Sequence, residues 1–294
     1  MSTILEEYIS FCQEKKIMFE SNESILSYDN STLFCTAGMQ KYRAFFNDPT
    51  QTSLKTLAGV QDCLRLTDLD TVGDGSHLLH FKMLGLFSFD SMTIAEAINF
   101  WHEFLQSLNI KLSMITIHPN KFDEWKDYHG KHHQDIIQKD SECIWSDGNG
   151  ISGYCTEFYA DGIEIGNIVN PKGNCIDCGF GMERLRRVLL SELKTTQQNI
   201  LLDKQYVLRQ TVKRIAEEGV EPSNKGPGYI LRKLLRQLIK EFNSADINLP
   251  FMKDELDRQT KLKLRYAKLL PKNLDKSAAW WFDTHGIDLT ELLD

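Results

Sequence analysis

Residues 57–89 read LAGVQDCLRLTDLDTVGDGSHLLHFKMLGLFSF, two apolar runs separated by a polar segment. The first run spans residues 57–66 and the second spans residues 80–89. Aspartate and glycine are concentrated between them, and both residue types favour turns. This order predicts an antiparallel hairpin whose connection is longer than a tight turn.

Helix and strand patterns lie on either side of this hairpin. Residues 3–16 have the periodicity of an amphipathic helix, and residues 33–37 are typical of a short buried strand. Residues 93–106 predict the clearest helix, because Thr93 can cap its start while Glu96 stands at the third helical position. The N-terminal part of the chain therefore combines helices with strands.

Strand patterns return at residues 154–178 and then give way to helix. Three strand-like runs lie in this stretch, and Gly179 and Gly181 are expected to end the last of them. A helix is expected over residues 182–190, and the remaining chain is helical in pattern almost throughout.

This order of elements predicts two domains. Strands followed by helices are typical of an α+β protein, with an antiparallel sheet flanked by helices in residues 1–192 and an all-helical domain in residues 193–294. The net charge of −7 argues against a general nucleic-acid binder, but residues 191–294 carry 18 lysines and arginines against 15 acidic residues. The rest of the chain carries 16 against 26. The asymmetry hints at a C-terminal half that faces nucleic acid, although charge alone fits a solvated helical surface better.

Composition and cysteine use predict a cytoplasmic protein. The chain is 41% hydrophobic and 26% charged, which is ordinary for a globular protein with a substantial core. No apolar run approaches the ~20 residues of a membrane span, and the N-terminus lacks the pattern of a secretory signal. The seven cysteines have no disulfide-type spacing, which favours reduced thiols.

Two motifs that resemble metal sites are discounted. The pair Cys175 and Cys178 has a CxxC spacing, but no second ligand pair follows at zinc-finger distance. His129 and His133 form an HxxxH within a polar stretch, which predicts a surface segment. We therefore expect no zinc site. The two commonest phosphate-binding loops, GxxxxGK[ST] and GxGxxG after a strand, are also absent.

Three segments together resemble the catalytic core of the alanine–tRNA ligases, which are class II aminoacyl-tRNA synthetases. LFCTAGMQKY at 33–42 is similar to the family's N-A-G-M-x-x-F. QDCLR at 61–65, DLDTVG at 68–73 and HFKMLGLFSF at 80–89 are similar to Q-R-C-x-R, N-D-L-E-N-V-G and F-F-E-M-L-G-N-F-S-F. GYCTE at 153–157, EIGNIV at 164–169 and IDCGFGMERL at 176–185 are similar to G-P-C-T-E, E-x-W-N-I-V and V-D-T-G-M-G-L-E-R.

The resemblance continues beyond residue 190. PSN at 222–224 with GYILRKLLR at 228–236 is similar to P-S-N-x-x-x-G-Y-V-L-R-R-I-I-R-R, and FDTHGIDLT at 282–290 is similar to Y-D-T-Y-G-F-P-x-D-L-T. It implies a class II catalytic domain in residues 1–192, which forms the aminoacyl adenylate, and a helical tRNA-recognition domain in residues 193–294. It also implies a compact ligase without the family's editing and C-terminal domains. Either a separate editing protein then corrects mischarged tRNA, or errors are tolerated.

The resemblance assigns roles to individual residues. It implies ATP- and Mg²⁺-dependent activation of alanine and transfer to the 3′ end of alanine tRNA, whose acceptor stem is recognised. Arg65 and Arg184 are the expected catalytic residues, because guanidinium binds phosphate oxygens in two-point fashion. The expected ATP-binding set is Arg65, His77, His80, Phe81, Gly179, Gly181 and Arg184, with Phe81 preferred to His80 as the ring that stacks on adenine.

The same resemblance assigns the amino-acid pocket and the RNA contacts. Met39, Trp145, Asn167, Val169 and Asp177 are expected to bind alanine: Asp177 takes the ammonium group, Val169 and Trp145 wall the methyl pocket, and Asn167 orients the substrate. Glu157 is either a magnesium-side or substrate-side acid or a plain strand-edge glutamate. The expected tRNA-binding residues are Asn224, Arg232, Lys233, Arg236 and Asp275.

The chain also departs from the family pattern. The loop after Arg65 is shorter and lacks a G-G-K-H sequence that approaches the tRNA, while Ser76 and Lys82 replace Arg and Glu, so that Lys82 reverses a charge near ATP. Two alternatives therefore stay open. One is a paralogue that activates a small amino acid for a non-tRNA acceptor, which the short loop favours. The other is a non-catalytic RNA-binding relative, against which Arg65, Asp177 and Arg184 argue.

Overall fold

The computed structural model of the 294-residue chain describes residues 3–29, 31–52, 56–74, 77–133, 135–148, 150–192, 203–242, 248–285, 287 and 289. Contacts between Cα atoms divide the chain into two compact units, Met1–Asp203 and Lys204–Asp294. The domain boundary expected from the sequence lies after residue 192, and the residues between these two positions, 193–202, lie outside the described part. Ser76, which departs from the family pattern, lies outside it too.

The first unit contains the strands and five of the described helices. The strands are β1 Met18–Asn22, β2 Thr56–Leu64, β3 His80–Ser88, β4 Met114–Ile117, β5 Ile137–Lys139, β6 Ile144–Ser146, β7 Ser152–Ala160, β8 Ile163–Asn170 and β9 Ile176–Gly181. The helices are α1 Ile4–Glu14, α2 Arg43–Asn47, α3 Ile94–Ser107, α4 Pro119–Gly130 and α5 Met182–Glu192. The unit therefore combines helices with one sheet.

The strands form a mixed sheet in the order β1-β2-β3-β9-β8-β7-β4-β5, with β6 paired to β7 outside that row. The α+β prediction is confirmed. Neighbouring strands run antiparallel across the centre, whereas β1 with β2 and β4 with β5 are parallel. The expected hairpin is confirmed as well, since β2 and β3 pair antiparallel from Thr56 opposite Ser88 to Leu64 opposite His80.

The sheet buries one face beneath a layer of aromatic side chains from the helices. Trp101 of α3 stacks on Phe180 of β9, with ring centroids 3.7 Å apart, and Tyr8 of α1 stacks on Trp101. Helix α3 begins where the sequence predicts, because Thr93 and Glu96 form a reciprocal capping box. Successive residues of a strand point to opposite faces, so the residues between these core positions project to the other side of the sheet.

Two local expectations from the sequence are wrong. Residues 33–37 form no strand; only one bridge, Leu26 to Phe34, is made, because the backbone of Cys35 bonds to Ile25 and to Leu64 in place of a ladder. Gly179 does not end the preceding strand but lies inside β9, which is hydrogen-bonded to β3 on one side and to β8 on the other, whereas Gly181 is the last residue of that strand.

A third correction concerns the histidine-rich stretch. His129 is fully buried, with Nδ1 2.9 Å from Nε2 of His102 and Nε2 3.0 Å from the hydroxyl of Thr156. The polar sequence around it predicted a surface segment, and its partners come from α3 and β7, far away in the chain. Burial lowers the pKa of His102 to about 2 and that of His129 to about 3, so both rings are neutral at ordinary pH.

All the regular secondary structure in the described residues of the second unit is helical. Its helices are α6 Lys204–Glu217, α7 Gly226–Phe242, α8 Met252–Leu269 and α9 Ala278–His285. Helices α6 and α7 share a core that includes Leu208, Ile215, Leu231 and Leu235. None of the described helices of either unit has the length and hydropathy that a lipid bilayer would require.

Candidate active site

A cavity of about 670 Å³ opens on the face of the sheet that the aromatic layer leaves uncovered. Its floor comes from β3, β8 and β9, where Met83, Asn167 and Gly179 project into it. Residues 31–40 form one wall, and the start of α5 forms another. Every described residue that lines the cavity belongs to the first unit.

Arg65 and Arg184 both line this cavity. Arg65 follows β2 directly; its Nε donates to the carbonyl oxygen of Thr36 at 2.9 Å, and its guanidinium lies 5.1 Å from the ring centroid of Phe81. Arg184 lies in the first turn of α5, and its Nη1 donates to the carbonyl and carboxylate oxygens of Glu164 at 2.8 and 2.9 Å. These bonds hold two permanent cations at the rim of one cavity, an arrangement suited to a polyphosphate.

The residues expected to bind ATP separate by strand face. Phe81 lines the cavity beside Arg65, as does His77, whose Nδ1 lies 2.6 Å from a carboxylate oxygen of Asp74. His80 projects from the other face of β3, where its Nε2 lies 3.5 Å from Asp62. The structure therefore does not bring His80 to the cavity, because adjacent strand residues point to opposite sides.

Gly179 and Gly181 line the cavity from within β9. A Cβ atom on Gly179 would lie 2.8 Å from the Met83 sulfur, whereas one on Gly181 would make an ordinary contact with the Arg184 side chain. Gly179 therefore leaves room for the Met83 side chain on the cavity floor.

Four of the five residues expected to bind alanine line the same cavity: Met39, Trp145, Asn167 and Asp177. Asp177 of β9 is 8% exposed, and burial raises the pKa of its carboxyl group to about 7. Val169 lies opposite Asp177 in the ladder but is buried, packed with Cys143, Cys155 and Trp145. A buried carboxylate at the floor of a cavity is suited to binding a cationic ligand.

Glu157 lies one strand away from the cavity floor, opposite Asn167. Its carboxylate accepts a hydrogen bond from the Tyr159 hydroxyl at 2.6 Å, and its pKa is raised, chiefly by burial. The thiols of Cys143 and Cys155 lie beside it, and Glu157 is not among the residues that line the cavity in the described part of the chain. Thiols are poor ligands for Mg²⁺, so these surroundings do not fit a magnesium site.

Sequence reasoning missed several acidic residues that line the cavity, among them Glu164 and Glu183. Each is adjacent to a recognised position, since Glu164 opens the EIGNIV segment and Glu183 precedes Arg184. Burial raises the pKa of Glu183 to about 7, and its two carboxylate oxygens accept the backbone N–H of Lys82 at 3.0 and 3.1 Å. The available signal was that each of these two motifs contains an acidic residue.

Lys82 does not place an uncompensated charge beside the cavity. Its Nζ lies 2.7 Å from the carboxylate of Asp62, which stands directly opposite it in the ladder between β2 and β3. The family strings have Arg where this chain has Asp62 and Glu where it has Lys82, so the two charges are exchanged together. In this chain the charge of Lys82 is therefore neutralised by Asp62.

The residues expected to bind tRNA lie in the second unit. Lys233 and Asn224 are exposed, and Asp275 is an exposed partner of Lys276. Arg236 is held inside the unit, because its Nε lies 3.0 Å from the buried carboxylate of Glu255.

Arg232 is also engaged within this unit. Its guanidinium lies 3.8 Å from Glu255 and donates to the side-chain oxygen of Asn224. Arg258 completes the cluster, with a nitrogen 2.7 Å from Glu255. The structure thus gives Arg232 and Arg236 internal ion-pair partners that the basic pattern of the helix did not reveal.

Comparison with known proteins matches residues 3–185 to the family model described as tRNA synthetases class II (A). The chain is 30% identical to an alanine–tRNA ligase of Francisella tularensis subsp. tularensis strain WY96-3418, over 81% of this chain and 35% of the relative. It is 29% identical to that of Francisella philomiragia, with the same coverage. The chain thus spans about a third of the length of the curated relatives that it matches.

Among solved structures, the fold is similar to a pyrrolysyl-tRNA synthetase from Desulfitobacterium hafniense, with a TM-score of 0.41 and 10% identity over 69% of this chain and 70% of the other. A histidine–tRNA ligase subunit from Alicyclobacillus acidocaldarius matches with a TM-score of 0.44 and 9% identity, over 65% of this chain and 93% of the other.

Proposed function

This chain belongs to the class II tRNA synthetase (A) family, and from that membership we propose that it activates alanine with ATP and transfers it to the 3′ end of alanine tRNA. The observation that carries the proposal is the convergence of Arg65, Arg184 and Asp177 on one cavity. Two permanent cations suit a polyphosphate, and a buried carboxylate suits an ammonium group.

In the activation step, a carboxylate oxygen of alanine attacks the α-phosphorus of ATP. The bond from that phosphorus to the bridging oxygen breaks, and pyrophosphate leaves with the electron pair. Arg65 stabilises the charge on the α-phosphate as it is redistributed, and its guanidinium lies within cation–π distance of the Phe81 ring. Arg184, anchored through Glu164, holds the nucleotide from α5. Catalysis here consists of positioning and charge stabilisation.

Alanine is recognised through its three chemical groups. Asp177 binds the ammonium group, whose positive charge compensates the buried carboxylate. Asn167 orients the substrate, while Trp145 and Met39 form apolar walls around the methyl group. Val169 acts from behind, because its side chain packs on Trp145.

The activation step would use Mg²⁺ together with ATP. Mg²⁺ prefers oxygen ligands and commonly joins one or two carboxylates to substrate phosphates. Glu183 and Glu164 are the acids that line the cavity and fit this chemistry, and we assign them to hold the ion in place of Glu157. A bound Mg²⁺ would neutralise phosphate charge, while the arginines position the reacting atoms.

In the transfer step, a terminal hydroxyl of tRNA attacks the activated carbonyl carbon and AMP leaves. The helical unit supplies the RNA contacts in this proposal. Exposed basic side chains lie on α7 and on the second half of α8, namely Lys225 just before α7, Lys233, Lys261, Lys263, Arg265 and Lys268. Such side chains neutralise backbone phosphates and make affinity depend on salt.

Alanine-dependent exchange of pyrophosphate into ATP tests the activation step. Arg184→Ala should lower kcat/KM for exchange by roughly 100-fold or more, because it removes a contact to transition-state charge. Arg186→Ala is the matched control, since this exposed residue of α5 lies outside the cavity lining, and it should stay within a few-fold of wild type. A wild-type protein without exchange, or equal losses in both variants, would contradict the proposal.

Charging of an alanine tRNA transcript tests the acceptor. The second candidate is a ligase that hands a small amino acid to a non-tRNA acceptor, and the short connection after Arg65 is the observation that favours it. Exchange together with charging supports the tRNA ligase. Exchange without charging at any tRNA concentration selects the second candidate.

A further inference from the structure

A group of metal-binding side chains lies behind the wall of the cavity. The thiols of Cys143 and Cys155 and a carboxylate oxygen of Glu157 all lie within 4.8 Å of one another, and both cysteines are buried. We propose that these three residues bind one thiophilic divalent cation of the Zn²⁺ type. The proposal does not rest on the proposed function, because it concerns a property of the free protein.

The fold brings these ligands together from two strands. Cys155 and Glu157 are two residues apart on β7 and therefore point to the same face of the sheet. Cys143 precedes β6, which pairs antiparallel with β7. The backbone N–H of Cys155 donates to the carbonyl of Cys143 at 2.9 Å, so that the two thiols meet across the strand pair.

The donor set indicates which cation fits. Two thiolates and one carboxylate suit Zn²⁺, which takes sulfur and oxygen ligands in tetrahedral geometry, whereas Mg²⁺ prefers oxygen alone. Spacings below 4.8 Å match what tetrahedral ligands need, since metal–sulfur bonds are ~2.3 Å long. Binding displaces the thiol protons to solvent, and water or the Thr116 hydroxyl, 3.0 Å from the Cys143 sulfur, supplies the fourth ligand.

The surroundings already orient the ligands. The Tyr159 hydroxyl donates to Glu157 at 2.6 Å, and the Thr116 hydroxyl lies 3.5 Å from the same carboxylate oxygen. Outer partners of this kind fix the direction of metal-binding groups in metalloproteins. A cation at this position would clamp β6 onto β7 and so hold Trp145, which is carried on β6 two residues after Cys143.

This group differs from the CxxC motif discounted in the sequence. Cys175 packs in a cluster with Met39 and Phe87, whereas Cys178 packs in the aromatic core on the other face, so these two thiols lie in different surroundings. A second pair, Cys35 and Cys63, is also buried, and each of its thiols donates to a backbone carbonyl, that of Ala37 or Gln61. This pair is not part of a three-ligand group among the described residues. This pair provides a matched control.

Co²⁺ titration of the reduced, chelator-treated full chain tests the proposal. The wild type should bind one Co²⁺ per chain, with the visible bands of a tetrahedral site and a sulfur-to-cobalt charge-transfer band, and Zn²⁺ should bleach both. Excess Mg²⁺ should leave the spectrum unchanged. Because this measurement uses the wild type, it does not depend on whether a variant folds. A wild-type protein without the charge-transfer band overturns the proposal.

Three variants assign the ligands. Cys143→Ser and Cys155→Ser should each weaken Co²⁺ binding by more than the roughly 10–100-fold that loss of an outer partner costs, and should reduce the charge-transfer intensity. Glu157→Gln should weaken binding while both sulfur contributions persist. The Cys35→Ser/Cys63→Ser control should bind as wild type does. Retained affinity in either single cysteine variant, or equal loss in the control, would show that the metal binds elsewhere.

Discussion

At the residue scale, the ionisation of Asp177 should make alanine binding depend on pH. Its pKa is raised to about 7 by burial, and a bound ammonium group would favour the ionised carboxylate. Alanine binding should therefore weaken as pH falls below about 7, where Asp177 takes up a proton. We expect the KM for alanine to rise roughly tenfold per pH unit below that point, with the KM for ATP much less affected.

The Asp177→Asn variant distinguishes this effect from a general loss of activity at low pH. Its KM for alanine should be high at every pH and should lose most of the pH dependence. The raised pKa also means that the ionised Asp177 costs stability above pH 7, so the variant should unfold at an equal or higher temperature at pH 8. A pH dependence of KM that persists in Asp177→Asn would assign the titration to another group.

At the scale of elements, the ion pair between Asp62 and Lys82 joins β2 to β3. Lys82→Ala would leave the carboxylate of Asp62, which is 3% exposed, without its nearest cation. We expect a loss of about 1–3 kcal/mol in the free energy of unfolding, measured by urea denaturation. The exchanged pair Asp62→Lys/Lys82→Asp should recover part of that loss, and no recovery would mean that Lys82 acts through another contact.

The second unit allows stability and RNA binding to be separated along α7. Arg236→Ala would remove a cation from buried Glu255, so it should lower the free energy of unfolding by about 1–3 kcal/mol. Lys233, three residues away, is exposed, so Lys233→Ala should leave the free energy of unfolding within about 0.5 kcal/mol of wild type. The same change should lower the slope of log K for tRNA binding against log salt concentration by about one. Thermal melts and salt-dependent binding curves of the two variants check both expectations.

At the scale of the whole molecule, buried histidines make the first unit sensitive to acid. Burial lowers the pKa of His102 to about 2 and that of His129 to about 3, with His132 and His133 adding repulsion. A depressed histidine pKa contributes stability above the unfolded value of about 6.5, and this contribution is lost as pH falls towards 3. Asp177 and Glu183 act in the opposite sense, because their raised pKa values favour the folded state as pH falls from 7 to about 4.

Urea denaturation between pH 7.5 and about 4 measures the balance of these groups. The two histidines and the two acids act in opposite directions, so we expect their contributions to offset each other and stability to change little over this range. His129→Gln should make stability increase as pH falls, even if it lowers stability at neutral pH by breaking the bonds to His102 and Thr156. Asp177→Asn should do the opposite and make stability decrease as pH falls. A wild-type slope in His129→Gln would show that the histidine pair does not contribute.

Local sequence was sufficient for the elements whose signals lie close together in the chain. The hairpin over residues 57–89, the capping of α3 by Thr93 and Glu96, and the α+β order follow from spacing, caps and turn residues, all of which act over a few residues. The resemblance to the ligases supplied the residue types of the cavity, and Arg65, Asp177 and Arg184 do lie around one cavity.

Tertiary structure alone decided which face and which partner each side chain has. Strand alternation places Phe81 and His80 on opposite faces of β3. Only the packing of the helices on one side of the sheet shows that Phe81 faces the cavity. His129, Lys82, Arg236 and Glu157 each received a partner from a distant part of the chain, namely His102, Asp62, Glu255 and Cys143. Such pairings depend on long-range folding rather than on neighbouring residues, and they determine whether a charge is exposed, neutralised or available to a ligand.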